Sequence, residues 1–173
     1  MGIDVWTLRG ASTPCAPQSA QPAREEVAVG PEFHLCFLNY RSFAICLSLD
    51  QNEKVISVSA RAFCDDVALA LNGSAVNPGI NNLRWPNRAA EDHSAKAADS
   101  AVLQRINALP GLMLIFGQTA ASVIPGVLDP VPGQVLELNG RQVLLFNAID
   151  ELCQGASGKR TLWQILQRYG KFP

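Results

Sequence analysis

Charge is scarce in this sequence and balanced in sign. Charged residues make up 17% of the 173 positions, with 14 Lys and Arg against 15 Asp and Glu and a formal net charge of −1. Proteins that attract nucleic acid broadly carry a basic face or a high pI, whereas the pI of this chain is about 6.1. The composition argues against broad electrostatic DNA binding, so any role at DNA is expected to be indirect.

Motifs for metal binding and redox chemistry are also missing. The five cysteines are scattered without a CxxC pair, and the two histidines, His34 and His93, stand at spacings unsuited to a zinc site. We therefore expect no metal and no cofactor. Cys36, Cys46 and Cys64 lie in apolar runs, where a free thiol packs as a small hydrophobic group. Free thiols of this kind indicate a reducing compartment.

Neither a secretory signal nor a membrane span is visible in the sequence. The first thirty residues lack a basic stretch followed by an apolar one. No apolar run approaches the ~20 residues that a membrane-spanning helix requires. We expect a soluble, cytoplasmic protein that has no membrane partner.

What the chain does contain is enough apolar sequence for one hydrophobic core. Hydrophobic residues make up 48% of it, and a domain of this size buries roughly 70% of its unfolded surface. Residues 1–10 hold a small apolar cluster and are predicted to be a partner-binding peptide. Residues 11–30 are rich in Ala, Ser, Pro and Gln, which is typical of a flexible linker. Residues 31–173 are predicted to form a single α/β domain.

Within that domain the pattern predicts alternating strands and helices. Short apolar runs predict strands at residues 33–40, 43–49 and 112–116, and the Asn139-Gly140 pair predicts a hairpin between residues 134–138 and 141–146. Helical spacing predicts helices over residues 60–71, 89–109 and about 157–169, with a loop at residues 76–88. This order predicts a mostly parallel sheet that is covered by helices on both sides.

Complete catalytic motifs are not found. The segment GASGKRT at residues 155–161 departs from a phosphate-binding loop, because Cys153 replaces a glycine and Arg160 replaces the magnesium-binding Ser or Thr. His34 falls inside a predicted strand and is expected to be structural, and His93 is expected on a solvated helix face. Asp150-Glu151 follows the last strand, at the carboxyl edge where α/β sheets usually bind ligands. We expect no enzyme.

Two terminal segments resemble the psi subunit of bacterial DNA polymerase III. They are GIDVWTLR at residues 2–9 and TLWQILQRY at residues 161–169. Between them a strand follows a Pro-containing linker, and the apolar run at residues 112–118 comes in the expected order. The resemblance implies a three-layer α/β/α domain of the uracil-DNA-glycosylase-like fold, preceded by a flexible N-terminal peptide.

The resemblance also implies a bridging role in DNA replication, without catalysis. A psi subunit binds the gamma or tau subunits of the clamp loader with its N-terminal peptide, and its folded domain binds the chi subunit, which contacts single-strand-binding protein. Carried over, the clamp-loader contact would be made by Ile3, Trp6, Leu8 and Arg9. The peptide of that family extends upstream of this motif, so we expect the natural protein to have further residues before Met1.

A second surface is predicted on the last helix. Lys159 and Arg160 stand in its first turn, either as part of a solvated helix start or as a surface for an acidic partner or a phosphate. Trp163 lies at the margin of the apolar stripe, either as a core residue or as an anchor for a partner. The sequence does not assign the residues that bind chi.

Two alternatives to the scaffold role stay open at this point. One is a divergent DNA glycosylase, since the fold is shared. However, the loops at residues 39–42 and 147–150 carry neither of the catalytic motifs of such enzymes. The other is an unrelated α/β module for protein interaction whose terminal matches are coincidental.

Overall fold

The computed structural model describes residues 31–86 and 92–169, which form a mixed α/β structure with one open sheet. The six strands of this sheet are β1 (Phe33–Asn39), β2 (Phe43–Ser48), β3 (Gly79–Trp85), β4 (Leu112–Phe116), β5 (Val135–Leu138) and β6 (Arg141–Phe146). The five helices in the described ranges are α1 (Val58–Asn72), α2 (Ala95–Asn107), α3 (Gln118–Ser122), α4 (Ile149–Gln154) and α5 (Ala156–Tyr169).

The sheet is mixed, so the prediction of a mostly parallel sheet is wrong. Its strand order is β3-β1-β2-β4-β6-β5. The parallel pairs are β2 with β4 and β4 with β6, whereas β1 is antiparallel to both β2 and β3, and β5 is antiparallel to β6. The physical reason is connection length: residues 40–42 are far too few for the crossover that a parallel pair of neighbours requires.

Two clusters of buried side chains hold helices to the sheet. Successive residues of a strand point to opposite faces, and on β1 they enter different clusters: Leu35 and Phe37 belong to one, Cys36 and Leu38 to the other. The cluster with Cys36 contains buried residues of α1, α4 and α5. The cluster with Leu35 contains those of α2 and α3.

The predicted loop at residues 76–88 is wrong over most of its length, because β3 lies there. This edge strand pairs with β1 along its whole length, from Gly79 opposite Asn39 to Trp85 opposite Phe33. Most of its side chains are exposed or half-buried, so it shows no apolar run in the sequence. Pairing with a distant segment stabilises a strand of this kind. The local pattern of apolar residues in the sequence does not reveal that pairing.

Helix α2 is shorter than predicted. It begins at Ala95 rather than at residue 89, because the hydroxyl of Ser94 caps it by accepting a hydrogen bond from the N–H of Ala97 at 3.2 Å. His93 therefore precedes the helix instead of lying on its face. Its ring packs edge-on against that of Trp85, with 6.2 Å between the ring centroids. Residues 89–91 of the predicted helix lie outside the described ranges. Helix α4 was not predicted.

The apolar runs, the first helix and the hairpin were predicted correctly. Strands β1, β2 and β4 lie within the predicted ranges, and α1 ends at Gly73, which adopts a left-handed conformation. Cys36, Cys46 and Cys64 are buried as predicted, while Cys153 is exposed. None of the helices in the described part of the chain has the length and apolar character needed to cross a membrane.

The β5–β6 turn provides a test of the hairpin. Asn139 and Gly140 have φ values of 51° and 74°, the conformation that a two-residue hairpin turn requires. We expect Gly140→Ala to lower the free energy of unfolding by about 1–2 kcal/mol, because a Cβ is disfavoured in the left-handed region. Urea denaturation followed by circular dichroism measures the change.

The control for this prediction is Gly111→Ala. Both glycines have open space where a Cβ would be added, but only Gly140 has a left-handed φ. Gly111→Ala is therefore expected to change stability by no more than about 0.5 kcal/mol. Equal losses in the two variants would contradict the conformational explanation.

Candidate functional site

A cavity lies at the carboxyl ends of the three parallel strands. Its volume is about 590 Å³, within the roughly 300–1,000 Å³ of small-molecule binding pockets. The residues that follow the parallel-paired positions of β2, β4 and β6 line this cavity. We call this space the carboxyl-edge cavity, and its lining is Leu47, Ser48, Leu49, Asp50, Glu53, Ile56, Ser57, Ala60, Phe116, Gly117, Gln118, Thr119, Pro132, Asn147, Ala148, Ile149, Asp150 and Glu151.

The cavity exists because each parallel strand turns directly into a loop or helix at this edge. Gly117 follows β4 with φ 91°, and its N–H donates to the carbonyl oxygen of Phe146 at 3.0 Å. This bond ties the end of β4 to the end of β6. A side chain is strained at that φ, so glycine allows the sharp entry into α3. Beside it, Ala148 precedes α4.

The charged residues of the lining are all acidic. Asp50 and Glu53 lie on the loop between β2 and α1, and Asp150 and Glu151 form the first turn of α4. Acidic side chains at a helix N-terminus are favourable because of the helix dipole, and Glu53 Oε2 accepts a hydrogen bond from the N–H of Asp50 at 3.3 Å. Among the described residues, no lysine or arginine lines the cavity. It is therefore a region of negative potential.

His34 is hydrogen-bonded to the loop that contains Asp50 and Glu53. It is the buried polar residue of the described core, with 5% of its surface exposed. Its Nδ1 lies 3.2 Å from the carbonyl oxygen of Asp50, and because a carbonyl can only accept, Nδ1 carries the proton. The N–H of Leu49 donates in turn to the carbonyl oxygen of His34 at 2.8 Å. His34 lies in β1 as predicted.

The remaining polar lining consists of hydroxyl and amide groups. Ser48, Thr119, Gln118 and Asn147 supply them, and Ser57 uses its hydroxyl to cap α1. Such groups orient a ligand through hydrogen bonds. Over residues 31–86 and 92–169 no group of three or more His, Cys, Asp or Glu side chains could hold a metal ion.

The residues predicted on the last helix lie away from this cavity. Lys159 and Arg160 are exposed in the first turns of α5. Trp163 is half-buried and packs against the core cluster that contains Leu162 and Leu166. A smaller cavity of about 320 Å³ does involve α5, and its lining comprises Pro132, Gly133, Phe146, Asn147, Leu152, Ser157, Gly158, Thr161, Leu162 and Ile165.

The predicted clamp-loader contacts Ile3, Trp6, Leu8 and Arg9 lie outside the described residues, as do the peptide and linker at residues 1–30. Of the carboxyl-edge residues, the sequence pointed to Asp150 and Glu151 and missed Asp50 and Glu53. The two pairs line one cavity because β2 and β6 both flank β4 in parallel. The available signal was that each pair follows a predicted apolar strand within five residues.

The two loops compared with glycosylase motifs occupy different ends of the sheet. Residues 147–150 line the carboxyl-edge cavity, whereas residues 39–42 join β1 to β2 at the opposite end of β2. The loop that follows β2 at the cavity is the one with Asp50 and Glu53. No protein-family model, curated protein or solved structure matches this chain.

Proposed function

We propose that this chain is a non-catalytic accessory subunit of a bacterial clamp-loader complex that works as psi subunits do. It would bind the gamma or tau subunits through residues 1–10 and the chi subunit through its folded domain. Through chi it would be linked to single-strand-binding protein and to DNA, in the cytoplasm. The observation that carries the proposal is the pair of terminal motifs, GIDVWTLR at residues 2–9 and TLWQILQRY at residues 161–169.

The position of the second motif supports this proposal. It forms most of α5, whose Leu162 and Leu166 are 2% and 0% exposed. Two of its apolar positions therefore belong to the core of the domain, while Trp163 reaches the margin between core and surface. The motif would maintain the fold and leave the outer face of α5, with Lys159 and Arg160, available to a partner.

The charge of the carboxyl-edge cavity favours a protein partner over DNA. Nucleic-acid affinity comes largely from contacts between basic side chains and phosphates. Here four acidic residues line the carboxyl-edge cavity, and no basic side chain of the described chain joins them there. A DNA strand entering this cavity would meet repulsion, which fits a subunit that reaches DNA only through other proteins.

For the fold we propose the three-layer, uracil-DNA-glycosylase-like arrangement implied by the resemblance. The two core clusters support it, one with α1, α4 and α5 and the other with α2 and α3. An assembly of helices around a sheet is compatible with many functions, so the proposed function depends on the terminal motifs rather than on the fold.

The clamp-loader contact is tested with Trp6→Ala. A tryptophan in a short docking peptide is the residue type expected at a binding hot spot, and truncation there often costs ≥2 kcal/mol, or about 30-fold in affinity. We expect at least this loss in biolayer interferometry with a purified clamp loader that contains gamma or tau. Gln18→Ala, in the linker sequence, is the matched control and should bind as wild type. Equal binding of both variants would refute the peptide contact.

One observation favours the glycosylase alternative: acidic residues line a cavity at the carboxyl edge of the sheet. Incubation with uracil-containing DNA, followed by alkaline cleavage and gel analysis, decides between the two. We expect no abasic product above the buffer control. Product that disappears in an Asp50→Asn or Asp150→Asn variant would establish an enzyme.

A further inference from the structure

We propose that the carboxyl-edge cavity is a docking site for a partner protein, and that it receives an arginine side chain from an extended segment with apolar residues on both sides of that arginine. Three features of the described chain lead to this occupant: the charge of the cavity, its acceptor groups and its apolar rim. The inference goes beyond the proposed function, and it holds whichever complex the chain joins.

The first feature is a concentration of acidic residues without an ion-pair partner among the described residues. Asp50, Glu53, Asp150 and Glu151 border one cavity, and the ion pair found in the described residues is elsewhere, between Arg61 and Asp65 at 2.9 Å. Like charges that share a site repel one another, and a cation brought among them is attracted by all of them. The complementary ligand is therefore cationic.

The second feature is the number of hydrogen-bond acceptors. Besides the four acidic residues, the lining contains Ser48, Thr119, Gln118 and Asn147, whose side chains each carry an oxygen acceptor. A guanidinium group has five N–H donors in a planar fork and forms bidentate bonds with carboxylates, whereas an ammonium group has three donors and is more strongly hydrated. An arginine uses such a lining more fully than a lysine does.

The third feature is an apolar rim. Val55 is 68% exposed and Val58 88% exposed, on either side of the cavity-lining residues Ile56 and Ser57. Val131, next to the lining residue Pro132, is 59% exposed. Exposed apolar residues scattered singly need no explanation, but these belong to the two segments that border the acidic space. Apolar side chains of a peptide can pack on this rim beside the inserted arginine.

The occupant is therefore a peptide segment rather than a free metabolite. A small cation would use the carboxylates and leave the exposed valines in water. Protein interfaces combine a central charged or aromatic anchor with apolar contacts around it, and arginine is enriched among such anchors. Both elements of that arrangement are present at this edge of the sheet.

The test uses two peptides that differ in one side-chain group. The ¹⁵N-labelled full chain is titrated with acetyl-Leu-Arg-Leu-amide and, separately, with the same peptide in which neutral citrulline replaces arginine. We expect the arginine peptide to shift the amide resonances of Gly117, Gln118 and Ala148 and the citrulline peptide to bind at least about tenfold more weakly. Shifts of equal size with both peptides, shifts confined to other regions, or no shift would overturn the proposal.

Two variants test which carboxylates contribute to binding of the arginine peptide. The double variant Asp50→Asn/Asp150→Asn is expected to weaken the arginine peptide by at least about tenfold, and its amide spectrum shows whether the fold is kept. Glu137→Gln removes an exposed carboxylate on β5 that does not line the cavity, so it should bind as wild type. Equal losses in the two variants would indicate attraction by net charge alone and overturn the site. Trp6→Ala should keep full peptide binding, which separates failure of this proposal from failure of the clamp-loader contact.

Discussion

Raising the pH above about 9 is expected to lower the free energy of unfolding steeply. Burial raises the pKa of the Cys36 thiol from 9.0 to about 11 and that of the Cys64 thiol from 9.0 to about 12. It also raises the pKa of Cys46 and of Tyr40, whose hydroxyl donates to Asp65 Oδ1 at 3.2 Å. All four groups stay protonated in the folded chain after their unfolded counterparts have ionised.

The sign of the effect follows from proton linkage. Above pH 9 the folded state holds protons that the unfolded state has released, so stability falls as pH rises. Each such thiol contributes about 1.4 kcal/mol per pH unit until its folded pKa is reached. Cys46 and Cys64 together give a slope of about 3 kcal/mol per pH unit, to which Cys36 and Tyr40 add in the same direction. Two pH units then remove an amount comparable with the ~5–15 kcal/mol stability of a typical domain.

Urea denaturation at a series of pH values, with a phosphine reductant present, measures this slope. The control is the double variant Cys46→Ala/Cys64→Ala, which lacks two of the raised groups. It is expected to start less stable at pH 8, because buried volume is lost, and then to lose stability more slowly by about 3 kcal/mol per pH unit. An unchanged slope in that variant would mean that these thiols are not the titrating groups.

The sequence predicted those elements whose signal is local. Strands β1, β2 and β4 are continuous apolar runs, the Asn139-Gly140 pair has the left-handed φ values of a tight turn, and α1 ends at a glycine. In each case neighbouring residues determine the conformation. The short connection between β1 and β2 also contained the information that their pairing is antiparallel, although alternation of strands and helices suggested otherwise.

What the sequence could not supply is the order of strands in the sheet. Asn81, Asn82 and Arg84 give β3 no apolar pattern, and its pairing with β1 joins residues that are 40 to 52 positions apart. The same limitation applies to the carboxyl-edge cavity. Asp50 and Asp150 are 100 positions apart in the sequence, and only the parallel placement of β2 and β6 beside β4 brings their loops to one edge.

The two proposed contacts would be independent in structure and in chemistry. The peptide at residues 1–10 would bind through an apolar anchor, while the carboxyl-edge cavity would bind through charge and hydrogen bonds. Charge-based contacts weaken with added salt, since exposed charges are screened over about 10 Å at 0.1 M ionic strength, whereas burial of a tryptophan is far less sensitive. A bridging protein with these two modes could release one partner while holding the other.

Phe116→Ala is expected to destabilise the chain by about 3–5 kcal/mol, the usual cost of removing a buried phenylalanine. Phe116 is 2% exposed, ends β4 and lines the carboxyl-edge cavity. Its ring stacks on Phe146 at 5.3 Å between centroids and meets Phe63 edge-on at 5.7 Å. The substitution would therefore remove both aromatic contacts and leave a void that the neighbouring strands cannot fill.

The matched control is Phe63→Leu, at the half-buried member of the same aromatic group. This variant loses the edge-on aromatic contact but keeps an apolar side chain. We therefore expect the free energy of unfolding to fall by about 1 kcal/mol. In urea denaturation the midpoint of Phe116→Ala should fall with an unchanged slope, since the surface exposed on unfolding is nearly the same. A loss below about 1 kcal/mol would show that the ends of β4 and β6 are not packed together.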